Sequence, residues 1–496
     1  MILVFDFGTT HLKGALMTED GLFKGRTRGE LGVLNSDVSG FQEVDPEIWI
    51  SSLKKAVAEL LAGQDTNKIR GVVISGNGPT LVPMDKNGDF LNPVMIWMDR
   101  RGTAQSKRIK EISGEYLDPT FYLPKALWLH DNKPEVYNKT KHFLSCPEAI
   151  VYKLTGMATT ILPGAHFEGY FWSAELLNKL GLDQSKFPAF SKPGNITGQV
   201  TRKGQTLTGI PLGLPVISAG PDFISSILGT AAVKPGRCCD RAGTSEGINL
   251  CTKELIHNPA LMGYGHVVEA YYNLSGIISA SGRALDWITG TLGCGQTSVA
   301  TLNDPEVHRD LQKTTPGSDG LLFLPYLAGE RAPLWDPAAR GVFAGLGLYH
   351  GREHMIRAVL ESTGFAMRDV IDTMDNSGCE VADLRITGGP AKNRMWNQIK
   401  ADITRRRILV PQSVDSDLTG NLVIGLKSLG NHNDLGEASD KTVKIAEIFE
   451  PRREYQTLYE DLFELYRETY KRMKELFPRL SLSVQGREVA GTNGKN

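Results

Sequence analysis

Ile2-Leu3-Val4-Phe5-Asp6-Phe7-Gly8-Thr9-Thr10 opens the chain as a short apolar strand that delivers a carboxylate to a Gly-Thr-Thr turn. Residues 12–17 resume extended structure, and Asp20-Gly21 signals a second hairpin. The opening is therefore a β-meander, not a strand feeding a helix. The pattern returns near the start of the second half, where residues 237–242 run into Gly243-Thr244-Ser245 and residues 248–251 continue as a strand. Two Gly-Thr-hydroxyl turns, one per half, read as an internal duplication, although so short a match also arises by chance. Backbone N–H groups and hydroxyls in such turns can cradle an anion, and two of them could grip a polyphosphate. Either turn alone also fits an ordinary hairpin. Neither GxxxxGK[ST] nor GxGxxG in a strand–helix setting occurs, so P-loop and Rossmann readings are unsupported.

Working outward, 496 residues are too many for one core. A net charge of -1, from 55 basic and 56 acidic residues, creates no global field toward nucleic acid or a membrane surface. The six cysteines form no CxxC pair and no zinc pattern, which fits reduced thiols in a reducing compartment. No basic leader and no run of about 20 apolar residues is present, so a cytoplasmic location is expected. Helical periodicity covers residues 46–61 and most of 102–190. Residues 188–213, rich in Gly, Pro, Thr and Ser, read as a linker or surface segment. A strand at 214–218 leads into Gly220-Pro221-Asp222, and one at 384–387 leads into Gly388-Gly389-Pro390 and a helix. Residues 481–496 lack periodicity.

Asp6 and Asp222 each follow a short apolar strand, where a carboxylate can project into a site. A sugar hydroxyl is a poor nucleophile, and a positioned carboxylate can take its proton during attack. A second carboxylate can hold Mg²⁺. Both residues equally fit helix caps or turn formers. Trp97-Met98-Asp99-Arg100-Arg101 combines a flat ring, a carboxylate and cations, the groups that recognise sugars, but it also fits a buried Trp beside an ion pair.

Together these motifs resemble the FGGY family of carbohydrate kinases, from Met1 to about Leu429, with a xylulokinase-like cast. Asp6 to Thr10 with Lys13 is similar to the family's first phosphate motif, Ser218 to Asp222 to the segment with the catalytic Asp, and Gly243-Thr244-Ser245 to the second phosphate motif. Gly388-Gly389-Pro390-Ala391-Lys392-Asn393 resembles the adenosine-binding segment. Residues 324–343 are similar to xylulokinase-like members, and 341–361 fit the family's C-terminal signature; Glu330, Arg331, Asp336 and Arg340 could form an ion network there.

The resemblance implies an α/β fold of two actin-like (ribonuclease-H-like) ATPase domains with an interdomain cleft, with boundaries expected at 1–217 and 218–478 and a tail at 479–496. It implies ATP and Mg²⁺, with Asp222 as base and Asp6 as the metal-positioning carboxylate. Gly8, Thr9, Thr10, Lys13, Gly243, Thr244 and Ser245 would hold phosphates, and Gly388, Gly389 and Asn393 would face adenosine. Asn77, Gly78, Trp97, Asp99, Arg100 and Asp222 would meet the sugar, a ketose such as xylulose or a related polyol or sugar acid. No nucleic-acid or membrane partner is expected, and a homodimer is compatible with the sequence.

Three segments depart from the family pattern. Ser75-Gly76-Asn77-Gly78-Pro79-Thr80 lacks the Met-His pair that borders the sugar in xylulokinases. The signature around Lys125-Ala126-Leu127-Trp128 matches only partly. Asp417-Leu418-Thr419-Gly420-Asn421 replaces an alanine-rich helix start, a change expected to remodel the nucleotide end. A non-catalytic sugar or nucleotide sensor, and an actin-like ATPase without a small substrate, are the rival readings.

Overall fold

The computed structural model describes residues 1–32, 34–35, 40–294 and 305–480. The aperiodic segment 481–496 lies outside them. Two compact units emerge: Met1–Val233 with Tyr264–Tyr271 and Asp415–Val443, and Lys234–Gly263 with Tyr272–Val414 and the described chain from Lys444.

The first unit is built on a six-stranded sheet in the order Ile196–Gln199, Pro215–Pro221, Val72–Gly76, Ile2–Phe7, His11–Met17, Phe23–Glu30. The opening meander is antiparallel, whereas Val72–Gly76 and Pro215–Pro221 run parallel to Ile2–Phe7. Every residue of Ile2–Phe7 is buried, as a central strand covered on both faces requires. Side chains alternate across the sheet. Leu3, Phe5 and Phe7 pack with Trp49, Leu53, Ile150 and Leu154. Ile2 and Val4 face Ile224, Leu228, Leu418 and Leu422, on the helices Asp222–Gly229 and Ser416–Ser428. Asp6 continues that second row.

A domain boundary at 217/218 would cut the strand Pro215–Pro221, whose ladder to Val72–Gly76 belongs to the first sheet. The segment 188–213 is not a linker. It supplies the edge strand Ile196–Gln199 and the helix Arg202–Thr208, which Thr201 caps by accepting from Gly204 N–H at 3.1 Å. An edge strand has one solvated side and tolerates the polar composition that hides it in sequence.

The second unit repeats the scheme. Tyr272–Ile278, Glu246–Thr252 and Arg237–Ala242 form an antiparallel meander, followed by Asp383–Thr387 and Arg407–Pro411 in parallel and Ile445–Phe449 antiparallel at the edge. The connectivity of the central strands matches the first sheet, and both edges differ: Ile445–Phe449 follows its neighbour in sequence instead of preceding it, and a seventh strand, Met262–Gly265, lies beyond Tyr272–Ile278 at the opposite edge. Among the described residues no helix is long and apolar enough to cross a membrane, and the six cysteines are free thiols.

Candidate functional site

Strand register brings the first motif together. Asp6 lies opposite Lys13 in the hairpin and beside Ser75 in the parallel pair, and Ser75 is in turn beside Gly220. Two residues beyond Gly220, Asp222 opens the helix Asp222–Gly229 and is half-buried. A carboxylate in a first helical turn is favoured by the helix dipole. Burial, reinforced by the Asp417 and Asp222 carboxylates, pushes Asp6 up to about 8 against the pull of Lys13 and a 2.7 Å hydrogen bond from Ser75 Oγ. Burial disfavours a charged Lys13, but the Asp417 and Asp6 carboxylates outweigh it and hold the ammonium above its ordinary value. Lys13 Nζ donates to Asp417 Oδ2 at 2.8 Å. Lys13 and Asp222 are thus each within electrostatic reach of Asp6.

Both Gly-Thr segments are hairpin tips. Gly8 N–H donates to His11 O at 3.0 Å, Thr9 Oγ1 accepts from Trp97 Nε1 at 2.8 Å, and exposed Thr10 pairs with His11 Nδ1 at 2.9 Å. In the second unit Gly243 N–H donates to Ser245 O at 3.0 Å, with Thr244 exposed at the tip. The backbone there is fastened to a helix start: Gly282 N–H donates to Gly243 O at 2.9 Å and Arg283 N–H to Thr244 O at 3.2 Å. Beneath this tip Lys400 lies fully buried between Asp240 (2.9 Å) and Glu246. Gly388, at φ +92°, donates its N–H to Val414 O at 3.1 Å, and Gly389 is exposed. Asn393 is buried and caps the helix Arg394–Thr404, accepting from Trp396 N–H at 2.8 Å.

The expected sugar-side residues divide into two groups. Asn77 donates to Phe7 O at 3.0 Å and to Gly8 O at 3.1 Å and accepts from Thr80 Oγ1, so it braces the first hairpin. Gly78 is half-buried, and a Cβ there would sit 3.1 Å from the Tyr122 hydroxyl. Trp97 is half-buried, while Arg100 is exposed and pairs with Asp118 at 3.2 Å. Asp99 has no exposed surface. Its oxygens accept from the Arg101 guanidinium at 2.6 Å and from Gln42 N–H at 2.7 Å. Burial and those bonds make it a support for the loop that carries Trp97 and Arg100.

Three features escaped the sequence reading. Lys125 is fully buried and donates to Pro79 O at 2.8 Å and Ile96 O at 2.7 Å, stapling the loops that carry Asn77 and Trp97. The lysine of the partial signature was the available signal. Asp417 and Asn421 do not belong to the nucleotide segment; their helix packs on the first sheet, beside Asp6 and Lys13. In the 324–343 stretch the carboxylates mostly anchor backbone and phenol groups. Glu330 accepts from Ser279 and Arg331 N–H at 2.7 Å each, and Asp336 from Tyr470 OH at 2.8 Å.

Residues 1–229 match the N-terminal domain, and residues 241–429 the C-terminal domain, of the FGGY family of carbohydrate kinases. The chain is 27% identical to the xylulose kinase of Bacillus subtilis over 494 residues, covering 96% of this chain and 97% of that protein. It is also 27% identical to the gluconokinase of Bacillus subtilis over 491 residues, covering 92% and 94%. A ligand-bound xylulose kinase from Lactobacillus acidophilus superposes with a TM-score of 0.85 at 24% identity, covering 97% of this chain and 100% of that one, and so shares its fold. With its paired meander sheets and both Gly-Thr hairpins, the chain belongs to the FGGY family of carbohydrate kinases.

Proposed function

We propose that this kinase transfers the γ-phosphoryl group of ATP to a hydroxyl of a small ketose or sugar acid, with Asp222 as general base. The convergence of Lys13 and Asp222 on Asp6 carries this reading. Phosphoryl transfer asks little covalent chemistry of a protein and much positioning and charge. Asp222 accepts the proton of the attacking hydroxyl, from a helix start that favours its negative form. Lys13 supplies positive charge toward the transferred group. The hairpin tips hold phosphates through Gly8, Thr9, Thr10, Gly243, Thr244 and Ser245. Gly388 and Gly389 present backbone to adenosine, and Asn393 fixes the helix behind them.

Mg²⁺ suits the donor chemistry, since it takes one or two carboxylates and fills its other positions with water and phosphate oxygens. Asp6 would hold it, because its buried carboxylate lies within electrostatic reach of those of Asp417 and Asp222, an oxygen donor set of the kind a hard cation takes. When bound, the ion neutralises the phosphate tail of ATP.

Trp97, Asn77, Gly78 and Arg100 border the acceptor. Similarity to both a xylulose kinase and a gluconokinase supports an open-chain substrate of five or six carbons as the first to try. The test is ATP consumption and phosphosugar formation with pentuloses, hexuloses, polyols and aldonates in turn. Turnover is expected only with sugar present, and strongest with one of the ketoses or aldonates. ATP hydrolysis indifferent to every sugar would overturn the reading.

A further inference from the structure

The helix Ser416–Ser428 carries a polar pair at i, i+4, Asp417 and Asn421, which project from one helix face. Asn421 has no exposed surface. Its Nδ2 donates to Phe5 O at 2.9 Å and to Ser75 Oγ at 2.8 Å, and its Oδ1 accepts from Ser225 Oγ at 2.7 Å. Ser75 Oγ passes the connection on to Asp6 Oδ1 at 2.7 Å. One turn earlier, Asp417 accepts from Ser226 Oγ at 2.5 Å and from Lys13 Nζ at 2.8 Å. Ser225 and Ser226 lie in the first turn and a half of the helix that Asp222 opens.

Two hydrogen-bonded chains therefore leave that helix. One runs Ser225–Asn421–Ser75–Asp6, and the other Ser226–Asp417–Lys13. Glycines allow both. A Cβ on Gly420 would lie 1.8 Å from Ser225 O, and one on Gly229 1.9 Å from Ser416 O, so the two helices meet backbone to backbone. Such contact leaves little room for one helix to slide on the other.

We propose that Asp417 and Asn421 are positioning residues for phosphoryl transfer, holding the Asp222 helix in fixed relation to Asp6 and Lys13. The inference rests on the roles given above to Asp222, Asp6 and Lys13. It explains why a polar pair occupies a helix face otherwise packed with Leu418, Leu422 and Val423. Misplacing a reacting group by about 1 Å can cost about a hundredfold in rate.

Steady-state kinetics should be run with ATP and the sugar giving the fastest turnover, on Asp417→Ala, Asn421→Ala, Ser226→Ala and Asp417→Ala/Ser226→Ala. Ser226→Ala removes a single oxygen from a helix and keeps the test open where a larger change fails to fold. Each single variant is expected to lower kcat about tenfold or more, with both KM values within about threefold. The double variant should be no slower than the slower single one, because both break the same link. Asp417→Asn, which keeps an acceptor for Ser226, should recover part of the loss. Variants with lower melting temperatures but unchanged kcat, or multiplicative losses in the double variant, would overturn the proposal. If Asp222→Asn itself retains full activity, the underlying reading fails instead.

Discussion

Lys125 places its amine where it has no exposed surface, and donates to two backbone carbonyls from different loops. Burial pushes it down to about 7; the Asp99 carboxylate offsets part of that, and the Arg101 cation works against it. A lysine whose folded value is depressed binds its proton less well than in the unfolded chain. Between about pH 7 and pH 10.5 the unfolded chain then holds the extra proton, and stability rises with pH. Relative to Lys125→Met, the parent should gain stability across that window, by at most about 1.4 kcal/mol per pH unit. Urea unfolding at several pH values checks this, and a flat or falling difference would contradict it. Asp6 and Asp222 were legible in the sequence because a short apolar run ending in a carboxylate is a local pattern. The bracing of Asp99 is not legible there, because one of its partners, Gln42 N–H, comes from 57 residues away.

At the scale of elements, the meanders and the two Gly-Thr hairpins were readable from alternation and turn chemistry. Two other elements were not. The strand Ile196–Gln199 and the helix Arg202–Thr208 are short and polar, and composition alone reads them as a linker or surface segment. The helix Ser416–Ser428 reads in sequence as a departure from the family's alanine-rich helix start, with an effect expected at the nucleotide end. Its apolar face decides otherwise: Leu418, Leu422, Val423, Ile424 and Leu426 are buried with Ile2, Val4, Val73 and Ile217 of the first sheet. Hydrophobic periodicity says that such a helix has a buried face, but not which sheet receives it.

The molecule as a whole shows the same central five-strand connectivity twice, with different edges, which supports the duplication suggested by Asp6–Thr10 and Arg241–Ser245. The first unit is also discontinuous, since it takes in Asp415–Val443 after the chain has built most of the second. Those five buried residues of the returning helix are each worth about 1.5–3 kcal/mol. Together that is about 7.5–15 kcal/mol, comparable to the roughly 5–15 kcal/mol that holds a typical domain folded. A fragment of residues 1–233 should accordingly lack a cooperative thermal transition; a sharp transition with parent-like near-UV dichroism would contradict this connectivity argument. The central claim is that Asp222 takes the proton from the sugar hydroxyl. Asp222→Asn keeps the shape of the side chain and removes its basicity, so its kcat should fall at least about a hundredfold while melting temperature and ATP binding stay near those of the parent. A variant that turns over sugar at the parental rate would contradict the account.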